Sequence, residues 1–393
     1  MGCALKFHIT RATAWLCLAV CAGIAIFALT RVIPRGIILA DEKGKPALKL
    51  EIPKPNGEVV TITAREQSPE RKNWIKAAVF IQNGQVKQLE ELLHIDPGLA
   101  TRPIDPTVLT TLLHHACIYD QTDSIKILLK YGADTAAKAG WMSETPLHVA
   151  ARTDSVNAVK LLLDEGVDIN ILGAGPMPEN QPNIPNIPNI PNIPIPFASP
   201  LDLAAAAGSE RVVPVLLERG AKADVNPAKS THSSLHRALE GRYNAMGYGN
   251  LKRVTDPTTN AARGNRKIIE MLLKHGCDLH DLDFFGNTPF HIAVRRGAHE
   301  SVEYLLASHA QDVDVNAPRE FGLTPLQLSV YEFGADREND VKAVIELLLK
   351  YGADRNKLDG PSKPQTTAFD FAIEQEITIR QKWGAPILNL LRP

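Results

Sequence analysis

Four histidines stand at one recurring place in the chain: His114 in "TLLHHA", His148 in "TPLHVA", His236 in "SSLHRA" and His291 in "TPFHIA". Each lies three residues after a Thr or Ser, and imidazoles repeated in this way are candidate metal ligands or proton carriers. The corresponding places in "SPLDLA", "TPLQLS" and "TAFDFA" hold Asp202, Gln327 and Asp370. Those exchanges would break a metal array, so a position that recurs with its surroundings reads as repeated structure. Other chemistry is sparse. The sequence has no glycine-rich phosphate loop, no His-Glu-x-x-His, no Gly-x-Ser-x-Gly and no paired-cysteine motif. The two glycines of "GAGPMPEN", Gly173 to Asn180, sit in the wrong context for a dinucleotide. Cys3, Cys17 and Cys21 crowd the first 21 residues, and the two that remain, Cys117 and Cys277, make neither a disulfide framework nor a zinc spacing. The expectation is a protein that is not an enzyme, with no catalytic residues, no cofactor, no metal and no small-molecule substrate.

The elements that carry these histidines are the stronger signal. A chain of 393 residues could hold two or three ordinary domains or one array that grows by repetition. Lys plus Arg number 43 and Asp plus Glu 44, a formal net charge of -1, so there is no global positive excess to collect phosphates and nucleic acid is not expected as a partner. From about Asn73 one pattern returns. Its clearest copy is "TPLHVAARTDSVNAVKLLLDEGVDIN", Thr145 to Asn170. Copies start at 111, 145, 199, 233, 288, 324 and 367, at intervals of 34, 54, 34, 55, 36 and 43 residues, as expected of one period with insertions.

The physics of the unit follows from its residues. Thr145 and Thr288 cap a first helix whose first turn holds Pro146 and Pro289, where a missing N–H costs nothing. Leu147, Ala150 and Ala151 fall at helical spacing, with alanines small enough for close approach, and Val159, Leu162 and Leu163 supply the apolar face of a second helix. Gly132, Gly166, Gly220, Gly276 and Gly352 follow the "LL" runs, where a left-handed helix end favours glycine. One such pair cannot bury its own apolar face, so neighbours must stack.

The signature, the "LLL" block and the "GAD.N" ending, recurring in that order, resemble the ankyrin-repeat family over roughly Asn73 to Pro393. The resemblance implies an all-α solenoid of about eight helix-turn-helix units joined by β-hairpin loops, with degenerate units at both ends. It also implies that the repeated imidazole ties neighbouring units through backbone hydrogen bonds. The domain plan expected is 1–35, 36–72 and 73–393, with insertions at 173–198 and 241–265.

Ala12 to Thr30 carries no charge over 19 residues, enough to reach across a hydrocarbon core, and reads as one hydrophobic N-terminal helix, a single-pass or signal-anchor segment. The alternative is a signal that is cleaved, leaving a periplasmic or secreted protein. Residues 36–72 read as a polar spacer in which "ALKLEIPKPNGEVVTITA" alternates around a Pro-Asn-Gly turn, a candidate hairpin.

With no catalytic motif, binding remains. The resemblance implies a concave face of first helices and hairpin tips, where side chains are free of packing duty. By position, the loops offer Lys138, Trp141 and Met142, then Phe284 and Phe285, then Arg319, Glu320 and Phe321. First-helix surface positions add Arg152, Arg295, Arg296 and Tyr331. Aromatic residues and arginine are common interface anchors. The reading is a membrane-tethered, non-catalytic scaffold that binds a protein partner through this face. The alternative is an exported soluble protein acting as a protective or inhibitory factor for an enzyme. The insertion "QPNIPNIPNIPNIPIP", Gln181 to Pro196, suits polyproline II geometry and falls on the hairpin side.

Overall fold

Apolar residues at 74, 77, 78 and 81 repeat at i, i+3, i+4 and i+7, the stripe that a helix must bury. In the computed structural model Trp74, Ala77, Ala78 and Ile81 are all buried on one face of helix α1 (Pro69–Gln82). The helix starts ahead of the expected domain boundary at residue 73. The structure describes residues 48–53, 59–64, 69–104, 109–140, 143–173, 198–223, 233–240, 265–283, 286–318, 322–330, 338–358, 366–378 and 384–392. The chain divides into two compact units, Met1–Ser143 and Glu144–Pro393.

In the first unit, strand β1 (Leu48–Pro53) pairs antiparallel with β2 (Val59–Ala64). Helix α1 then packs against α2 (Val86–Ile95) and against α3 (Leu112–Ile118), which is followed by α4 (Thr122–Lys130). The buried His115 of α3 touches Trp74 of α1 edge-on, with ring centroids 5.9 Å apart, and Tyr119 at 4.9 Å. Desolvation in this apolar corner lowers the His115 pKa to about 4, against a smaller raising effect of the Ala78 backbone, so the ring is neutral at pH 7.

The second unit repeats one helix pair: α5 (Pro146–Arg152) with α6 (Val156–Asp164), α7 (Pro200–Ala207) with α8 (Val212–Glu218), and α9 (Ser234–Glu240) with α10 (Arg266–Lys274). It continues through α11 (Pro289–Arg295) with α12 (His299–Ser308), α13 (Pro325–Leu328) with α14 (Glu338–Lys350), and α15 (Ala368–Thr378) with α16 (Ala385–Leu391). First helices pack in sequence, α5 on α7, α7 on α9, α9 on α11, α11 on α13 and α13 on α15. Behind them α6 meets α8, and α10, α12, α14 and α16 follow one another. Leu147, Ala150, Ala151, Val159 and Leu162 are fully buried in these layers, while Leu163 is half-buried at their edge. Each fully buried leucine contributes about 1.5–3 kcal/mol.

Helices α6, α8, α10 and α14 stop at the glycines their sequence offers. Gly166 at φ +83° and Gly276 at φ +90° occupy the left-handed region that a Cβ-bearing residue adopts only with strain. The "GAD.N" ending then acts as a hinge pin. Asp168 Oδ1 accepts the N–H of Asn170 at 2.9 Å, and Asn170 Oδ1 accepts the N–H of Lys222 in the following pair at 2.9 Å. Asn316 does the same, accepting from Asp354 N–H at 2.8 Å and donating to Gly352 O at 2.9 Å.

The tips of the loops expected to be β-hairpins lie outside the described residues. Among the described residues β1 and β2 are the only strands, and a loop between units closes by single hydrogen bonds, as where Asp283 N–H donates to Asn287 O at 2.9 Å. Short loops of this kind satisfy their few buried amides with a side chain: Asp283 Oδ1 also accepts Asn287 N–H at 2.7 Å. Ala12–Thr30 lies outside the described residues. Among the described residues no helix is long and apolar enough to cross a membrane.

Candidate protein-binding face

The recurring histidine is a structural tie. Thr145 N–H donates to His148 Nδ1 at 3.2 Å and Thr145 Oγ1 stands 2.8 Å from the same nitrogen. Because Nδ1 accepts a backbone proton, the neutral ring carries its own proton on Nε2. Nε2 therefore donates to Ala198 O, 2.9 Å away at the start of the next unit, and Gly173 N–H, 3.0 Å from the same nitrogen, donates to that carbonyl as well, at 2.9 Å. His236 reaches Asn287 O at 3.0 Å and His291 reaches Ala317 O at 2.9 Å in the same way.

The exchanges at this position confirm that the hydrogen bonds, rather than the imidazole as such, are what the fold needs. Gln327 Oε1 accepts Thr324 N–H at 2.7 Å, and its Nε2 donates to Thr366 O at 2.7 Å, so an amide reproduces both bonds. Asp202 accepts Ser199 N–H at 2.7 Å but has no proton to pass on. The next unit supplies one instead: Ser234, standing where other units have proline, donates its hydroxyl to Asp202 Oδ1 at 2.6 Å. Among the described residues no group of three His, Cys, Asp or Glu side chains could hold a metal ion.

A second tie was not legible beforehand. Asp154 turns the chain between α5 and α6 at φ +57°, and its Oδ1 accepts the N–H groups of Arg211 and Val212 at 3.1 and 3.0 Å. Arg211 returns to it, Nε to Oδ2 at 2.8 Å and Nη2 to the Asp154 carbonyl at 2.7 Å. A carboxylate of one pair thus caps the helix start of the next.

With the signature residues committed to these ties, the side chains expected at the binding face sort into three groups. Lys138 is exposed in its loop. Arg152, Arg295 and Arg296 are drawn back against the scaffold rather than standing free in solvent. Arg152 pairs with Glu144 at 3.3 Å, and Arg295 and Arg296 both approach Glu240 Oε1, at 3.7 and 3.8 Å. Their positions in the first helix put them beside a carboxylate that spacing alone did not reveal. Trp141, Met142, Phe284, Phe285, Arg319, Glu320, Phe321 and Tyr331 lie outside the described residues. Sequence reasoning also passed over Arg237. Its signal was available: it takes the place that Val149, Leu203, Ile292 and Leu328 occupy in other units.

Comparison with known proteins agrees with this geometry. A family model described as ankyrin repeats matches residues 76–172 and 258–359, together half of the chain. The chain belongs to the ankyrin-repeat family. Such arrays are protein–protein interaction scaffolds. Among similar proteins, human ankyrin repeat and SOCS box protein 16 is 28% identical over 244 residues, 61% of this chain and 45% of its own. NF-kappa-B inhibitor alpha of Gallus gallus is 40% identical over 94 residues, 23% of this chain and 27% of its own. A crystal structure of the human ASB11 ankyrin repeat domain, at 23% identity and a TM-score of 0.46, covers 70% of this chain and 100% of its own. The chain spans less than half the length of the curated relatives it matches first. The ankyrin assignment accounts for the histidine ties, the Thr-Pro starts and the glycine stops with one repeated unit.

Proposed function

We propose that this ankyrin-repeat protein is a non-catalytic scaffold, built of about eight units, that binds a protein partner through its first-helix face and inter-unit loops. Residues 73–393 would form the array. The observation that carries the reading is the division of labour within each unit. Thr, His or Gln and Asn are spent on ties between neighbours, leaving loop positions such as Lys138, and their counterparts Trp141 and Phe284, with no packing duty in the signature. Tethering to a membrane through Ala12–Thr30 completes the proposal and rests on its charge-free length. The test is a crosslinking pull-down from native cells. A specific protein should be captured by the wild type and lost with Trp141→Ala plus Phe284→Ala; no captured protein, or equal capture by the double variant, would end the proposal.

A second reading, an exported soluble factor that protects or inhibits an enzyme, is favoured by the same N-terminal segment if it is cleaved. One relative, NF-kappa-B inhibitor alpha, is by its name an inhibitor of another protein. Sequencing the mature N-terminus separates the two. A start at Met1 or Gly2 supports the anchor, and a start beyond Thr30 supports export.

A further inference from the structure

We propose that the loops following α10, α12 and α14 carry an apolar row, Leu282, Pro318 and Leu358, on which a basic amphipathic helix of the partner protein lies. The inference rests on the protein-binding reading above and adds the chemistry of the partner. A single exposed leucine needs no explanation, but a recurrence does. Among the described residues five large apolar side chains are exposed, and two of the five hold one place in the repeat. Leu282, 57% exposed, and Leu358, 43% exposed, each stand six residues after the glycine that ends a second helix, Gly276 and Gly352. The exposed Lys138 fills the same place after Gly132, so packing accepts a charge there and does not ask for leucine.

The stacking of units sets these places in line. Helices α10, α12 and α14 pack in succession, and the last residue of each "GAD.N"-type ending, His280, Asn316 or Asn356, comes two places before its member of the row. Asn316 joins its loop directly to the next, accepting Asp354 N–H at 2.8 Å and donating to Gly352 O at 2.9 Å. Pro318, exposed and two residues after Asn316, is therefore the middle member, between Leu282 and Leu358. After α6 the same place holds Leu172, half-buried, so it is apolar in every described loop of the second unit. Packed helices lie about 8–10 Å apart, and the row offers an apolar group at about that interval.

Spacing and charge choose the occupant. A helix rises 1.5 Å per residue and presents the same face every seventh residue, about 10.5 Å on, which matches the interval of the row. Four residues before Leu282, Pro318 and Leu358 stand Asp278, Asp314 and Asp354, all exposed. Each accepts the N–H two residues on through Oδ1, at 2.8, 2.8 and 2.9 Å, which fixes the carboxylate in its loop. The charge is strongest over the first two loops, where residues 278–282 and 314–318 contain Asp278, Asp281 and Asp314 but no Lys or Arg; the third sets Arg355 and Lys357 beside Asp354. Lysines or arginines flanking the apolar stripe of a helix complement this file of carboxylates, which repels an anionic lipid surface.

The test uses the full chain in phosphatidylcholine nanodiscs and a fluorescein-labelled peptide of three Leu-Lys-Ala-Leu-Lys-Lys-Ala heptads, read by fluorescence anisotropy with the signal of empty nanodiscs subtracted. Saturable, salt-sensitive binding is expected. Leu282→Ser with Leu358→Ser should weaken it about tenfold or more at an unchanged melting temperature. Asp278→Asn with Asp314→Asn, which keeps the oxygens that accept the backbone N–H groups, should weaken it severalfold at low salt and reduce its salt dependence. No saturable binding by the wild type, equal binding by the folded double-serine variant, equal or tighter binding of the peptide with glutamate in place of lysine, or tighter leucine-dependent binding of phosphatidylglycerol vesicles would overturn the proposal. If the double-serine variant fails to fold, the two single variants replace it, and equal binding by both overturns the proposal. Peptide binding in the expected pattern with no protein captured from native cells would reject the scaffold reading and keep the row; capture by the wild type and the double-serine variant alike, with no peptide binding, would do the reverse.

Discussion

Replacing His148 by alanine removes the acceptor for Thr145 N–H at 3.2 Å, the partner of Thr145 Oγ1 at 2.8 Å, the donor to Ala198 O at 2.9 Å and the Nε2 neighbour of Gly173 N–H at 3.0 Å. The Ala198 carbonyl keeps one donor, Gly173 N–H at 2.9 Å, but the Thr145 amide is left in a fully buried site with none. An unsatisfied buried donor costs about 1–3 kcal/mol. Emptying the volume of a buried ring adds about 2 kcal/mol or more. The expected loss is therefore about 3–5 kcal/mol by the same two magnitudes. His148→Gln is the decisive companion, because Gln327 already makes both bonds in its own unit; it should cost about 1 kcal/mol or less. Urea unfolding followed by circular dichroism measures both, and neither EDTA nor added zinc should move either midpoint. Equal losses for the two variants, or a shift with zinc, would refute the view that this position is a hydrogen-bond tie.

Asp154→Ala removes a helix cap and a partly exposed ion pair between neighbouring units, and should lower stability by about 1–2 kcal/mol in the same assay. The neutral His115 makes stability fall with acid: its folded pKa of about 4 lies below the usual 6.5, so the unfolded chain binds the extra proton. The loss accumulates as pH drops from about 6.5 to about 4, reaching about 3 kcal/mol, and His115→Leu should flatten that part of the stability–pH curve. Deleting Gln181–Pro196 should leave the melting temperature unchanged or slightly raised. The insertion leaves and rejoins the scaffold where Gly173 N–H meets Ala198 O, and shortening a closed loop recovers only about 1 kcal/mol.

Helix starts and stops could be read directly from the sequence because they depend on local chemistry. Thr145 and Pro146 begin α5, and Gly166 ends the turn after α6, through interactions within a few residues. The histidine ties were accessible only through resemblance, since His148 acts on a carbonyl fifty residues away in sequence. Asp154 and Arg211 are separated by a similar distance, and although Asp120 holds the place of Asp154 in its own unit, nothing in either segment announced the pairing with Arg211. The surroundings of the candidate binding side chains were the least legible. Arg295 and Arg296 occupy surface positions of their helix, and only the placement of Glu240 on the adjacent helix draws them inward. Arg237 was visible as a polar residue where Val149, Leu203, Ile292 and Leu328 stand in other units, a place that His115 shares, but the burial of that row was not visible.

The central claim is that a protein partner contacts the loops and first helices rather than the second-helix layer. A photo-crosslinking amino acid placed at the exposed Lys138, and separately at the exposed Lys160 of α6, tests it in native cells. The account predicts a discrete protein adduct from position 138 and none from position 160. An adduct from 160 alone, or the same adduct from both, would contradict it.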